Sequence, residues 1–339
     1  MTLSKYKKIG LYVCFFVVFF CTIVFGGVVF MGKKVYNPVF GMSFDPEYAE
    51  SMGLEWKTVY MRMLEDFGPE YIRISAKWSR VQSEGRDVFD YDDIDWMMHR
   101  AYEKNTKVVL AFGQKSPRWP ECYIPSWVSK DMNVYEYDLL RYVERTVTRY
   151  QNHPALFMWQ VENEPFIMFN FGECDGFDKS LVEKEVARVR MYDVRNPVLL
   201  TDSGELGLWK KASRLGDVFG TTLYRIVRKP NGKIFTYDWL GPGWYNLKAW
   251  LLGIRGENMI VSELQAEPWF FEDTPTTASL LRMEETMSPE RFLRHIEFVR
   301  RLSVEQVYLW GVEWWYFMMY QHNDQRYWDI ARELFTQVE

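Results

Sequence analysis

Along most of the chain, short apolar runs alternate with longer stretches whose apolar residues recur every three or four positions. The short runs, rich in β-branched and bulky residues, read as buried strands. The longer spacing reads as amphipathic helix. Strands are predicted over 39–44, 71–75, 107–112, 156–161, 197–201, 217–223, 259–262 and 306–311. Helices are predicted over 45–67, 91–105, 134–151, 180–192, 204–215, 244–254, 289–302 and 328–335. Leu140, Val143, Val147 and Tyr150 mark one helix face. Asp92, Asp93 and Asp95 suit a helix N-terminus. Ser288 sits as N-cap before Pro289.

Each strand is followed by a helical stretch, which implies parallel pairing. Eight such units in 339 residues match a (β/α)8 TIM barrel. An open doubly wound sheet is the competing α/β arrangement. It would normally carry a glycine-rich phosphate loop after the first strand. Here that position reads Gly41-Met42-Ser43-Phe44-Asp45, which is no such loop.

The N-terminus differs from this pattern. Residues 1–10 are a short basic tail with Lys5, Lys7 and Lys8. Residues 11–31 carry no charge, long enough to cross a bilayer as one helix, and Lys33 and Lys34 close the segment. No small-residue cleavage site ends it, so an uncleaved single-pass transmembrane signal anchor is expected. The flanking charges favour a cytoplasmic N-terminus, with the catalytic domain over 36–339 outside.

Composition adds three points. Aromatics make up 18% of the chain, with 15 Trp, more than a core needs; the surplus suits a large core or a groove for sugar rings. The net charge of -5, without a basic stripe, argues against nucleic acid. Of four cysteines, Cys14 and Cys21 lie in the apolar segment. Cys122 and Cys174 lie in loops after strands, where a disulfide or two free thiols are both open.

In a barrel, strand C-termini share one cup. Reading those ends in order collects Arg73 with Lys77 and Trp78; Gln114 and Trp119; Asn163 and Glu164; Asp202; Tyr224 and Arg225; Glu263; and Trp310, Glu313, Trp314 and Trp315. No metal-ligand spacing or nucleophile-elbow serine is present, so no metal or organic cofactor is expected.

The segment Trp159-Gln160-Val161-Glu162-Asn163-Glu164-Pro165 resembles the Asn-Glu-Pro signature of clan A retaining glycoside hydrolases, which are (β/α)8 barrels. Ile260-Val261-Ser262-Glu263 resembles their second catalytic position, and the nearest likeness is to cellulase-type, family 5-like members. The resemblance implies double displacement, with Glu164 as acid/base and Glu263 as nucleophile, on an oligosaccharide or polysaccharide. It implies that Arg73 and Tyr224 hold Glu263, that Asn163 binds the sugar 2-hydroxyl, and that Trp310 lies under the sugar. Trp78, Trp314 and Glu267 are further candidate substrate contacts, with core packing the competing reading for the tryptophans. Asp202 and Glu313 are weaker candidates. Glu162 rivals Glu164, and Glu267 rivals Glu263. Two other functions fit the same residues: a non-catalytic glycan-binding barrel, and a transglycosylase that remodels surface polysaccharide.

Overall fold

The computed structural model describes residues 26–169 and 172–336, together with residues 12, 15, 16 and 22. Its strands are β1 (Val39–Ser43), β2 (Tyr71–Lys77), β3 (Lys107–Gly113), β4 (Leu156–Val161), β5 (Val198–Ser203) and β6 (Val218–Leu223). A two-stranded antiparallel hairpin follows, of β7 (Ile226–Arg228) and β8 (Ile234–Thr236). Then come β9 (Met259–Gln265) and β10 (Gln306–Trp310). Eight of these strands close a parallel barrel in the order β1-β10-β9-β6-β5-β4-β3-β2.

The helices are α1 (Pro46–Ser51), α2 (Trp56–Phe67), α3 (Trp78–Val81), α4 (Asp92–Glu103), α5 (Met132–Tyr150) and α6 (Val182–Tyr192). They continue as α7 (Ala212–Leu215), α8 (Pro242–Leu252), α9 (Leu280–Glu284), α10 (Pro289–Val299), α11 (Val312–His322) and α12 (Arg326–Thr336). Ser288 caps α10 as expected, accepting from the Arg291 N–H at 3.3 Å.

The strands are buried on both faces, which is why they read as continuous apolar runs. Alternate side chains point opposite ways. The outward row, including Trp159 and Val161, packs with the helices in one large core. The inward row begins with an apolar layer of Tyr71, Val109, Met158, Leu199, Ile260 and Tyr308. One step up, two residues beyond Tyr71 and Met158, the inward positions are Arg73 and Gln160, hydrogen bonded at 2.6 Å. A dry floor thus supports a polar layer at the strand C-termini.

Three departures from the expected elements have physical causes. The helix over 45–67 is split into α1 and α2 by Gly53, whose φ of +74° no helix accepts. Most of 204–215 is loop, because the Asp202 carboxylate accepts from the Trp209 N–H at 2.7 Å and folds the chain back. The helix α11 carries no clear periodicity because both sides are buried, from Val312 to Met318. About half of the expected membrane segment over 11–31 lies outside the described residues. Among the described residues, no helix is long and apolar enough to cross a membrane.

Candidate active site

β4 stops at Val161, and the chain then turns twice through left-handed backbone, with φ of +61° at Glu162 and +45° at Glu164. Non-glycine residues rarely adopt this conformation, and it is concentrated at functional sites. The Glu164 N–H donates to Thr201 Oγ1 at 2.9 Å on β5. Its carboxyl crosses to β6, where Oε1 accepts from Thr222 Oγ1 at 2.7 Å. Thr222 is the register partner of Glu263 on β9. The turn therefore brings two carboxylates, 99 positions apart in the chain, to adjoining strands of one cup.

Glu263 is held from both sides. Its Oε1 pairs with Arg73 Nη1 at 2.9 Å, and its Oε2 accepts from the Tyr224 hydroxyl at 2.6 Å. Arg73 is itself fixed: Nη2 donates to Asn163 Oδ1 at 3.0 Å and Nη1 also reaches the Ser262 carbonyl at 3.3 Å. Arg73 is 1% exposed, so this charge pair sits in a low-dielectric layer where it cannot exchange for water. Glu164 has a different environment. Burial, and secondly the charge of Glu263, push its carboxyl up to about 8. The Thr222 hydrogen bond acts in the opposite direction. Burial outweighs the negative neighbour.

Glu162 lies outside this pair. Its carboxylate accepts from the backbone N–H groups of Gln114 at 2.7 Å and Lys115 at 2.5 Å, beneath the end of β3. A Cβ on Gly113 would stand 2.5 Å from the Glu162 carboxyl carbon, so glycine is required there, at a φ of +135°. Glu162 braces the strand ends from a buried position, held apart from the Glu164–Glu263 pair.

The loop after β3 adds two residues that the sequence reading missed. Arg118 pairs with Glu267, and its Nη2 lies 3.2 Å from Glu313 Oε2. Its guanidinium is 4.0 Å from the centre of the Trp310 ring and 3.7 Å from that of Tyr48. Glu121 accepts from Asn163 Nδ2 at 3.1 Å; burial pushes its carboxyl up to about 7, against the pull of Lys115. The loop is tied down by a disulfide between Cys122 and Cys174, which settles the pairing left open above. Beside Arg118, a small cleft is lined by Ser43, Asp45, Arg73, Trp310 and Glu313, among others. In the sequence this loop is charged much as the rest of the chain is, and Arg118 and Glu121 do not stand out there. Thr222 and Gln160 likewise look like ordinary strand residues.

The expected site residues therefore divide. Arg73, Asn163, Glu164, Tyr224 and Glu263 share one network. Trp310 and Glu267 are present at the cup but engaged by Arg118. Trp78 and Trp314 belong to the core and not to the cup. Trp78 is stacked on Tyr142 at 5.6 Å and its Nε1 donates to Gln82, while Trp314 packs edge-on against Tyr327 at 4.5 Å. Asp202 is occupied by the backbone of its own loop. Glu313 accepts from the Asp45 N–H at 2.5 Å and is pushed up to about 7, first by burial.

The parallel eight-stranded barrel is similar in fold to glycoside hydrolases among solved structures, GH42 and GH5 members included. Among them is a beta-galactosidase from Rahnella sp. R3, with a TM-score of 0.57, 13% identity, and coverage of 91% of this chain and 57% of that one. Xylanase 10B from Thermotoga maritima has a TM-score of 0.58 and 12% identity, covering 89% of this chain and 95% of that one. At these identities the likeness shows the fold. In sequence, the chain is similar to beta-galactosidase LacZ from Heyndrickxia coagulans, 27% identical over a stretch covering 45% of this chain. The match spans only 26% of that curated relative. No family model matches the chain.

Proposed function

We propose that this chain is a retaining glycoside hydrolase. Glu164 gives its proton to the glycosidic oxygen while the Glu263 carboxylate attacks the anomeric carbon. The bond to the leaving sugar breaks and a glycosyl ester forms on Glu263. Water then attacks the anomeric carbon, Glu164 takes the water's proton, and the ester bond breaks to free Glu263. The observation that carries this reading is the contrast between the two carboxyls. Glu263 is ion-paired to Arg73 and bonded to Tyr224, whereas Glu164 is buried, bonded to a neutral hydroxyl and pushed up to about 8. Two carboxyls in one cup with environments this different are suited to acid and nucleophile roles.

The substrate is a glycan, and the names of the similar proteins direct the first assays to aryl β-galactosides and β-xylosides. Residues 11–31 anchor the chain in a bilayer, with the barrel on the extracytoplasmic side. Glu164→Gln and Glu263→Gln each should lower kcat/KM by about 10³-fold or more on a glycoside whose leaving group is a sugar or other unactivated alcohol, which departs only with a proton. Azide added to Glu263→Ala should restore turnover and give the inverted glycosyl azide. Full activity in either glutamine variant would defeat the assignment.

A further inference from the structure

The helix α8 has no polar outer face. Its sequence, Pro-Gly-Trp-Tyr-Asn-Leu-Lys-Ala-Trp-Leu-Leu, contains a single charge. That charge, Lys248, is turned inward: Nζ donates to the Gly207 carbonyl at 2.6 Å and lies 3.9 Å over the Trp209 ring. Tyr245, Asn246 and Ala249 face the core. At about 100° per residue, Trp250, Leu247, Leu251 and Trp244 span an arc of about 120° on the other side. Trp250 is 68% exposed, Leu251 67% and Trp244 47%, and Trp239, just before the helix, is 72% exposed. The outer face of α10 is unlike this, exposing Glu290, Arg294 and Glu297. A helix apolar on all sides belongs inside a protein or against lipid.

The apolar N-terminal segment arrives at this same helix. Residues 26–31 are helical, and the Met31 carbonyl accepts from Asn246 Nδ2 at 3.0 Å. A Cβ on Gly243 would stand 1.7 Å from the Val28 carbonyl oxygen, so the two backbones meet at the first turn of α8. Lys33 and Lys34, both exposed, follow directly. Exposed Trp beside the end of an apolar span, with lysines next to it, is the composition of a membrane–water interface.

We propose that the outer face of α8 rests on the bilayer surface, with Trp239, Trp244, Trp250 and Leu251 seated among the lipid headgroups, a proposal that rests on reading 11–31 as a membrane anchor. Barrel helices run alongside the strands, so this contact lays the barrel on its side and turns the cup to open along the membrane plane.

The test uses the full chain carrying Cys14→Ser and Cys21→Ser, in vesicles of phosphatidylcholine and phosphatidylglycerol that contain doxyl-labelled lipid. Single cysteines carrying an environment-sensitive dye are placed at Trp250→Cys, at Leu251→Cys as a second surface site, at Phe16→Cys in the anchor, and at Tyr137→Cys on α5. The α8 and anchor dyes should shift to the blue and lose about half their emission to doxyl lipid, while the α5 dye should not. Quenching at Phe16 but at neither α8 site overturns the proposal and leaves the anchor standing. Quenching at none of them removes anchor and surface together. A blue shift at α8 without lipid quenching, with a dimer seen in sedimentation, assigns the face to a second copy and also overturns the proposal.

Discussion

The Thr222 hydroxyl donates to the Glu164 carboxyl at 2.7 Å, from the strand position that pairs with Glu263. This bond is a lever on the proton of Glu164. It opposes the rise that burial and Glu263 impose. Thr222→Val removes it, so the Glu164 carboxyl should move further up from about 8. The alkaline limb of the kcat/KM profile, which reports the acid of the free enzyme, should then shift to higher pH. Activity at neutral pH should fall by about tenfold, the worth of one hydrogen bond to the reacting group. Thr222→Ser keeps the hydroxyl and should restore both. A limb that stays in place in Thr222→Val would count against Glu164 as the acid.

Holding Glu164 protonated should cost stability in a defined pH window. In the unfolded chain its carboxyl ionises near 4.5, and in the fold only near 8. Below the lower value both states hold the proton. Between the two values the fold keeps a proton that the unfolded chain has released, so stability falls as pH rises. Glu164→Gln removes that dependence. The variant should therefore melt higher than the wild type at pH 8, by a few degrees for a gain on the order of a few kcal/mol, and the gap should close at pH 5. Thermal unfolding across pH 5 to 8 checks this. A variant less stable than wild type throughout would show that the carboxyl is not strained by its surroundings.

Much of this candidate site is legible in the sequence because its main signals are local. The apolar run of β4 gives way at once to Glu162-Asn163-Glu164-Pro165, Glu263 lies two residues past the apolar Met259-Ile260-Val261, and Arg73 interrupts an apolar strand. What could not be read depends on backbone turns and distant contacts. Strict alternation puts Glu162 and Glu164 on one face, but the left-handed residues at both positions break that alternation and send the two carboxyls apart. Trp78 and Trp314 stand at strand ends, yet they belong to short or doubly buried helices that point them into the core. Arg118 reaches Glu267 and Glu313 from 149 and 195 residues away, and no spacing rule anticipates such a triad.

The Cys122–Cys174 bridge should matter for both stability and substrate affinity. It closes a span of 52 residues, which by chain entropy stabilises the fold by about 4 kcal/mol. It also joins the loop bearing Arg118 and Glu121 to the segment after β4; the Glu173 N–H donates to the Pro120 carbonyl at 2.9 Å. Cys122→Ser with Cys174→Ser should lower the melting temperature, and wild type under reductant should match it. KM should rise more than kcat falls, because the tether positions the rim of the cup and not the two glutamates. A variant with unchanged KM would show that the loop holds its place without the bridge.

Arg118 is the residue whose loss should reveal what the cup's second acidic pair costs. Glu267 and Glu313 both face its guanidinium, all three are buried, and no other cation is paired with either carboxylate in the described residues. Arg118→Met leaves two carboxylates confronting each other in a low dielectric, and breaking a buried pair this way costs about 3–5 kcal/mol. The loss should depend on pH. Glu313 is already pushed up to about 7 with Arg118 present, and burial raises Glu267 too. Without the guanidinium, which pulls both downward, they should hold protons further into the neutral range. At pH 5 both are then neutral and Arg118→Met should melt close to wild type. At pH 8 it should melt far below, because unfolding releases the two protons that the fold retains. Adding Glu267→Gln and Glu313→Gln to Arg118→Met should recover most of the stability at pH 8, since neutral amides need no cation. If the triple variant is no more stable than Arg118→Met alone, the arginine acts by packing between Tyr48 and Trp310 and not by charge.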